Sequence, residues 1–341
     1  HVPAFGGEFS SFDTSKLPVQ PGVQDVLRLP GAIAVIADSY WRAQRALDQL
    51  SLAFTPPMNP APDSDELSAQ FDLLLAEGKV ETDFKQGAAP ELAGPSQRLH
   101  ESTYAVPFLA HATLEPMNCS AWLHDGKLDI WTSTQDPLGT RAVAAKVAGV
   151  SRDDVTVHAL HLGGGFGRRT PGAFNYVEDA AHIASQVNYP VKLQWSREED
   201  IRHDHFRPAG EARLKAIMGA DGYPVFLRHI YTDIGFNQDQ AAAFIPYAIP
   251  NQRIGRVTHA VNVPLGYRRS VEHSYQGFFI ESFVDELAHN AGTDPLAYRL
   301  RLLAQAPRFQ RALQRAADLI GWDEATPTGT GKGIAVKESF G

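Results

Sequence analysis

Nine residues, His161 to Arg169, read HLGGGFGRR, and they stand between the β-rich run DDVTVHAL and the helical run NYVEDAAHIASQV. The strand PVKLQWS follows, so the chain reads strand, glycine loop, helix, strand. A second strand reached through a helix is joined by a crossover over the sheet rather than by a hairpin, which makes this an α/β crossover unit. Within the helix Tyr176, Val177, Ala180, Ala181, Ile183 and Val187 recur at helical spacing and mark its inward face.

A glycine run at that position lets a backbone approach a ligand closely, with free N–H groups and a helix N-terminus to favour an anion. A tight turn is the plain alternative. Two phosphate-loop patterns fail on spacing, because position 168, where either would need a glycine, is Arg168. What is left is a bare backbone, an aromatic expected to be buried, Phe166, and two guanidiniums, Arg168 and Arg169, of the kind that grips phosphate. That suits a flat, anionic cofactor better than a free nucleotide, although an exposed arginine pair is otherwise a solvated surface feature.

Around this unit the chain is expected to be α+β with mixed sheets. Gly31 leads into the strand AIAVIAD, and Ser39 caps a helix from Tyr40 to about Leu50 with Trp41, Ala43, Ala46, Leu47 and Leu50 on one face. Residues 57–101 read as a linker or surface excursion holding one helix, Asp63 to Glu77. From Ser102 three β-rich segments follow, with the helix LGTRAVAAKVAGV before the glycine loop. The tail carries three helices: Phe279, Phe283 and Leu287 stack on the first, Gly292 stops it, Asp294-Pro295 starts the second, and Phe309, Leu313 and Ile320 share a face of the third. The expected divisions are 1–56, 57–101 and 102–341.

Composition excludes several classes. The net charge is −8 with both signs interspersed, which recommends neither nucleic acid nor an anionic membrane as a partner. One cysteine, Cys119, permits no intrachain disulfide and no Cys-based zinc or iron–sulfur site built from this chain alone. No apolar run is long enough to span a membrane. The sequence begins at His1 without methionine or leader, so a processed or excised chain is expected and the compartment, cytoplasmic or periplasmic, stays open.

Several separated blocks, in order, carry a resemblance: GGGFG, LEPMN at 114–118, WTSTQDP at 131–137, WSREED at 195–200 and ESFVDELAHNAGTDPLAYRLRLL at 281–303. Together they resemble the molybdopterin-binding large subunit of the xanthine dehydrogenase/aldehyde oxidase family. GGGFGRR in place of GGGFGGK is similar in particular to the β chains of the isoquinoline 1-oxidoreductase type and their aldehyde-oxidising relatives. The resemblance runs from about Pro21 to the end and names the first 56 residues as part of an α/β hammerhead domain, with the first half of a molybdenum-cofactor-binding domain behind it.

The resemblance implies a set of roles. Gln135 would hydrogen-bond an oxo ligand of molybdenum, and the backbone of Gly163, Gly164, Gly165, Phe166 and Gly167 would lie against the pterin, with Arg168 and Arg169 toward its phosphates. Arg269 would border the substrate side, although SVEHSYQ follows it in place of the family's glycine-rich stretch. His111, Glu115 and Asn118 would contribute to the pocket wall, with a core histidine and a capped turn as the plain alternatives. The general base, a glutamate in a G-x-G-E setting, is expected beyond Gly341, and Glu338 is not that residue; no catalytic residue and no metal ligand is therefore expected in this chain, which alone would be inactive. The implied cofactor is molybdopterin, in its cytosine dinucleotide form, with [2Fe–2S] clusters on a small partner subunit. The implied reaction is water-derived hydroxylation of an aldehyde or N-heteroaromatic, in bacterial enzymes of this kind. The implied partners are that iron–sulfur subunit, the C-terminal half of the same polypeptide and the small-molecule substrate. Two other readings stand beside it: a noncatalytic half-module that pairs with another polypeptide, and a metal-dependent hydrolase using His203, Asp204 and His205 with Glu115.

Overall fold

A computed structural model of the chain describes residues 1–13, 21–88, 98–235 and 241–340. The chain divides into two compact units, each built from three separate segments: His1–Pro62, Leu109–Arg207 and Asn262–Arg269 in the first, Asp63–Phe108, Pro208–Val261 and Ser270–Gly341 in the second.

The first unit begins with β1 (Glu8–Asp13), β2 (Val23–Leu29), β3 (Ala32–Ala37), α1 (Tyr40–Leu47) and β4 (Ser51–Thr55). β1 pairs with β4 and β2 with β3, both antiparallel. α1 stops at Leu47, short of the expected Leu50, and its buried face is narrower than expected: Ala46 is buried while Trp41 is 67% exposed. Trp41 falls a third of a turn off the stripe that Ala43, Ala46 and Leu47 define, and its ring meets the Arg45 guanidinium at 5.7 Å instead.

In the second unit α2 (Ser64–Glu77), β5 (Glu81–Gln86) and β6 (Arg98–Val106) occupy most of the stretch expected to be a linker. That expectation is corrected for the described part of 57–101; residues 89–97 lie outside the described residues. Proline and charge dominate the composition there, but a capping box closes α2 between Asp63 and Glu66, and Leu67, Phe71 and Leu75 are buried. Leu75 packs with Ile230 and Val257, so the helix covers the sheet rather than solvent.

Back in the first unit, β7 (Asn118–His124), β8 (Lys127–Ser133), α3 (Pro137–Ala148), β9 (Val155–Leu160), α4 (Asn175–Ala184), β10 (Val191–Gln194) and α5 (Arg197–Arg202) complete the fold. The sheet order is β10-β7-β8-β9, with β8 and β9 parallel and the other pairs antiparallel. β9 and β10 consequently run the same way at opposite edges, and α4 carries the chain between them, as the crossover reading requires. α3 begins at Asp136, whose side chain accepts from the Gly139 N–H, and ends at Gly149 in a left-handed turn. Cys119, Ala121, Leu128 and Ile130 of the sheet are buried against Ala144 of α3 and Tyr176, Val177 and Ala180 of α4.

The second unit is completed by β11 (Gly210–Met218), β12 (Pro224–Asp233), β13 (Asn251–Thr258), α6 (His273–Asn290), α7 (Pro295–Leu302) and α8 (Pro307–Leu319). Its sheet, β5-β13-β12-β11-β6, is also mixed, with β12 and β13 parallel. Phe279, Phe283 and Leu287 are buried as expected, Gly292 adopts φ +62, and Asp294 caps α7. On α8 Leu313 is buried but Ile320, past the helix end, is 48% exposed. The architecture is α+β with mixed sheets in both units.

Candidate functional site

The glycine loop follows β9 and is hemmed in by three close approaches from its own unit. A side chain at Gly167 would put a Cβ 1.8 Å from the carbonyl oxygen of Tyr267, and Gly167 itself has φ +108. Only glycine lets the strap 262–269 pass there, and the strap is tied down by the Arg269 N–H, which donates to the Phe166 carbonyl at 2.7 Å. A Cβ at Gly165 would stand 2.4 Å from Gln135 Oε1, and one at Gly163 would stand 2.4 Å from Glu115 Cβ. The glycines are thus required by the protein's own packing, before any ligand is considered.

Gln135 sits just past β8 and is exposed. Its Oε1 accepts from the N–H of Gly167 at 3.1 Å and of Arg169 at 3.4 Å, and its backbone N–H donates to the Arg169 carbonyl at 2.9 Å. This locks the side-chain amide's orientation and leaves Nε2 with no acceptor among the described residues. The successive N–H groups of Gly164, Gly165 and Phe166 likewise find no acceptor there. A run of unspent backbone donors beside an oriented amide is an anion- or oxo-receiving surface.

Two expectations are corrected here. Phe166 is not buried: it has φ +55 and is 46% exposed, because the left-handed backbone turns its ring outward. The arginine pair, by contrast, is fully buried. Arg168 donates to the Ala173 carbonyl and Asn175 Oδ1, both at 3.0 Å, and its Nε lies 2.9 Å from Asp204 Oδ1. Arg169 donates to the carbonyls of Gly164, Ser133 and Glu115 and to Glu115 Oε2 at 3.1 Å. Both guanidiniums also lie over the Tyr176 ring, at 5.8 and 5.6 Å. Donors spent in this way have no fork to offer a phosphate; they brace the loop from inside.

The pocket-wall candidates also turn to protein partners. Glu115 Oε2 accepts from the Gly163 N–H at 2.9 Å and Oε1 from Asn118 Nδ2 at 2.9 Å. Burial alone would raise the Glu115 carboxyl, but these bonds, with Arg169 and Ser133, hold it below its ordinary range. His111 is buried with Nδ1 3.0 Å from the Asp204 carboxylate and Nε2 2.7 Å from the Tyr267 carbonyl, the core-histidine alternative. It therefore supports the strap that Gly167 admits. Arg269 fixes the loop through its backbone, and its side chain is exposed.

The hydrolase constellation does not assemble. His203 turns toward Glu199 and the Val2 carbonyl, Asp204 toward His111 and Arg168, and Glu115 toward the loop. His205 packs against Gly266, and burial pushes its ring down to about 4. Sequence reading singled out Asp204 only as a hydrolase candidate and missed Ser133 and Tyr267; these three set the loop through a buried carboxylate and two backbone carbonyls, and a carbonyl has no signature in the sequence. A cleft of about 840 Å³ in the same unit is lined by residues of β3, α1 and β10, including Ile33, Ala43 and Lys192, and by none of the loop. No described helix is long and apolar enough to cross a membrane.

The molybdopterin cofactor-binding domain profile matches residues 75–303. The chain is 29% identical to the β subunit of isoquinoline 1-oxidoreductase from Brevundimonas diminuta, over 89% of this chain and 42% of that one. It is 27% identical to a nicotinate dehydrogenase subunit from Pseudomonas putida, over 94% of this chain and 28% of that one. Quinoline 2-oxidoreductase from Pseudomonas putida 86 has the same fold, with a TM-score of 0.70 at 15% identity over 94% of this chain and 50% of that one. The chain thus spans half or less of each relative's length.

Proposed function

The chain belongs to the molybdopterin cofactor-binding domain family, and from that premise we propose that residues 163–167 with Gln135 form the cradle on which it holds the pterin and the ligands of molybdenum. The observation that carries this is the set of unspent donors: three successive N–H groups at 164–166 and the oriented Gln135 Nε2. The residues fit a flat group with oxygen and sulfur acceptors, because the loop offers donors and no side chain except the outward Phe166. When bound, the molybdenum centre supplies hydroxylation with an oxygen atom from water and takes up two electrons.

The chain's own residues position and exclude. Arg168 and Arg169 hold the loop's shape from inside, and the exposed Arg269 is proposed to face the cofactor's anionic part or the substrate. Cys119 is buried, and burial pushes its thiol up to about 12, so it offers no thiolate to a cluster. This supports placing the [2Fe–2S] clusters that drain the electrons on a small partner subunit. The proposed substrate is an aldehyde or an N-heteroaromatic, the cofactor the cytosine dinucleotide form, and the general base a residue outside this chain, in the part of the polypeptide that completes the site.

The test is molybdenum content, by elemental mass spectrometry, of the longer protein purified with its iron–sulfur partner. Near-stoichiometric metal that falls away in Gly165→Val is the expected result, because that side chain would displace Gln135. Reproducible absence of molybdenum from the folded, matured complex would overturn the reading, and normal content in Gly165→Val would remove the loop from the site.

A further inference from the structure

Away from the glycine loop, His1, Glu199 and His203 place a ring nitrogen, a carboxylate oxygen and a second ring nitrogen all within 4.8 Å of one another. We propose that these three side chains form a binding site for a divalent first-row transition metal of the zinc class, independent of the molybdenum cofactor.

Each ring is held by its own partners. Glu199 and His203 stand four apart at the end of α5, so they share a face, and the Ser196 side chain caps that helix by accepting from the Glu199 N–H at 3.1 Å. His203 Nε2 lies 3.0 Å from the Val2 carbonyl oxygen, which can only accept. The ring must carry its proton there, which leaves Nδ1 to face Glu199 Oε1 at 3.2 Å. His1 repeats the pattern: Nε2 is 3.0 Å from Asp179 Oδ2, and Nδ1 contacts the same Glu199 oxygen. Two imidazoles, each with its far nitrogen held by an oxygen acceptor and its near nitrogen aimed at a shared carboxylate, is the outer-sphere arrangement that orients metal-binding histidines.

Distances agree with the metal class. Zinc holds nitrogen and oxygen ligands at roughly 2.0–2.2 Å, which separates tetrahedral neighbours by about 3.3 Å. His203 Nδ1 and Glu199 Oε1 are already at that spacing. Trp195 packs on the His1 ring at 4.7 Å and Phe5 on the His203 ring at 5.8 Å, giving the rings apolar walls. His1, Asp179 and Glu199 also line the 840 Å³ cleft, which supplies an entry path and an open fourth position.

The test is calorimetric titration of the chelator-stripped chain with zinc chloride, and the visible spectrum of the cobalt(II) form. One equivalent of zinc is expected, with tetrahedral-type cobalt bands. His203→Ala and Glu199→Gln should each weaken binding at least about 100-fold, and Asp179→Asn about 10- to 100-fold. His158→Ala should leave binding unchanged: its ring lies against Asp129, in a separate histidine–carboxylate pair on β8 and β9. No zinc uptake by the unaltered chain, or uptake that persists in both His203→Ala and Glu199→Gln, would overturn the site. Where a variant fails to fold, the cobalt spectrum of the unaltered chain still decides, since a featureless one is incompatible with this ligand set.

Discussion

Gly167 and Gly149 both have positive φ, +108 and +69, yet only Gly167 is enclosed, with Tyr267 oxygen 1.8 Å from an added Cβ and nothing within 4 Å at Gly149. Gly149→Ala should therefore cost about 1 kcal/mol, the backbone penalty alone. Gly167→Ala should cost about 3 kcal/mol or more, because backbone cannot step aside as a side chain can. Urea midpoints of the two variants check this; equal losses would mean that the strap does not pass where Gly167 admits it. Glu115 gives a second prediction. Its folded carboxyl sits below the ordinary value of 4.5, so its contribution is complete above that value and is lost as pH falls through the lowered one. The chain should lose stability between about pH 5 and 3, and Glu115→Gln should lose less over that window. At this scale the sequence made the glycines legible, since each close approach demands one. It hid the burial of Arg168 and Arg169, because an arginine pair reads the same whether its acceptors are phosphates or carbonyls from distant segments.

Elements were legible where their ends carry chemistry. Asp136-Pro137, Asp294-Pro295 and Asp63 with Glu66 each open a helix where the caps place it. The helix at 40–47 was less so: Ser39 makes no side-chain cap bond, and the apolar stripe does not include Trp41. What joins elements was not legible at all. Arg299 of α7 is fully buried and reaches back to α6, with Nε 2.9 Å from Glu281 Oε2 and Nη2 2.9 Å from the Glu281 carbonyl, while Tyr247 donates to Glu281 Oε1 at 2.8 Å. Burial would raise the Glu281 carboxyl, and Arg299 opposes it. Arg299→Met strands that carboxylate, so it should destabilise by about 3–5 kcal/mol, and Glu281→Gln added to it should recover part of the loss. A double-mutant cycle by chemical denaturation measures the coupling; additive losses would mean the two side chains act separately.

At the scale of the whole molecule the chain passes from one unit to the other five times, at 62/63, 108/109, 207/208, 261/262 and 269/270. Local patterns cannot show this, which is why the sequence suggested three consecutive blocks. The interleaving has a consequence for the cradle. The strap 262–269 belongs to the first unit, yet the chain enters it four residues after β13 and leaves it four residues before α6, both in the second. Unfolding the second unit therefore frees both ends of the strap and leaves its eight residues to the contacts of the first unit alone: the Phe206–Leu265 bridge, the Arg269 N–H to Phe166 bond, the His111 ring on the Tyr267 carbonyl and the Asn262 side chain on the Phe5 and Asn59 carbonyls. The amide of Arg269 should thus exchange with solvent at a free energy no higher than that of β11 and β12. Native-state hydrogen exchange at rising denaturant measures both. Arg299→Met, acting only in the second unit, should lower protection at Arg269 together with that of β11. If Arg269 stays protected after β11 and β12 have exchanged, the strap is anchored by the first unit alone, and the second unit plays no part in keeping the cradle closed.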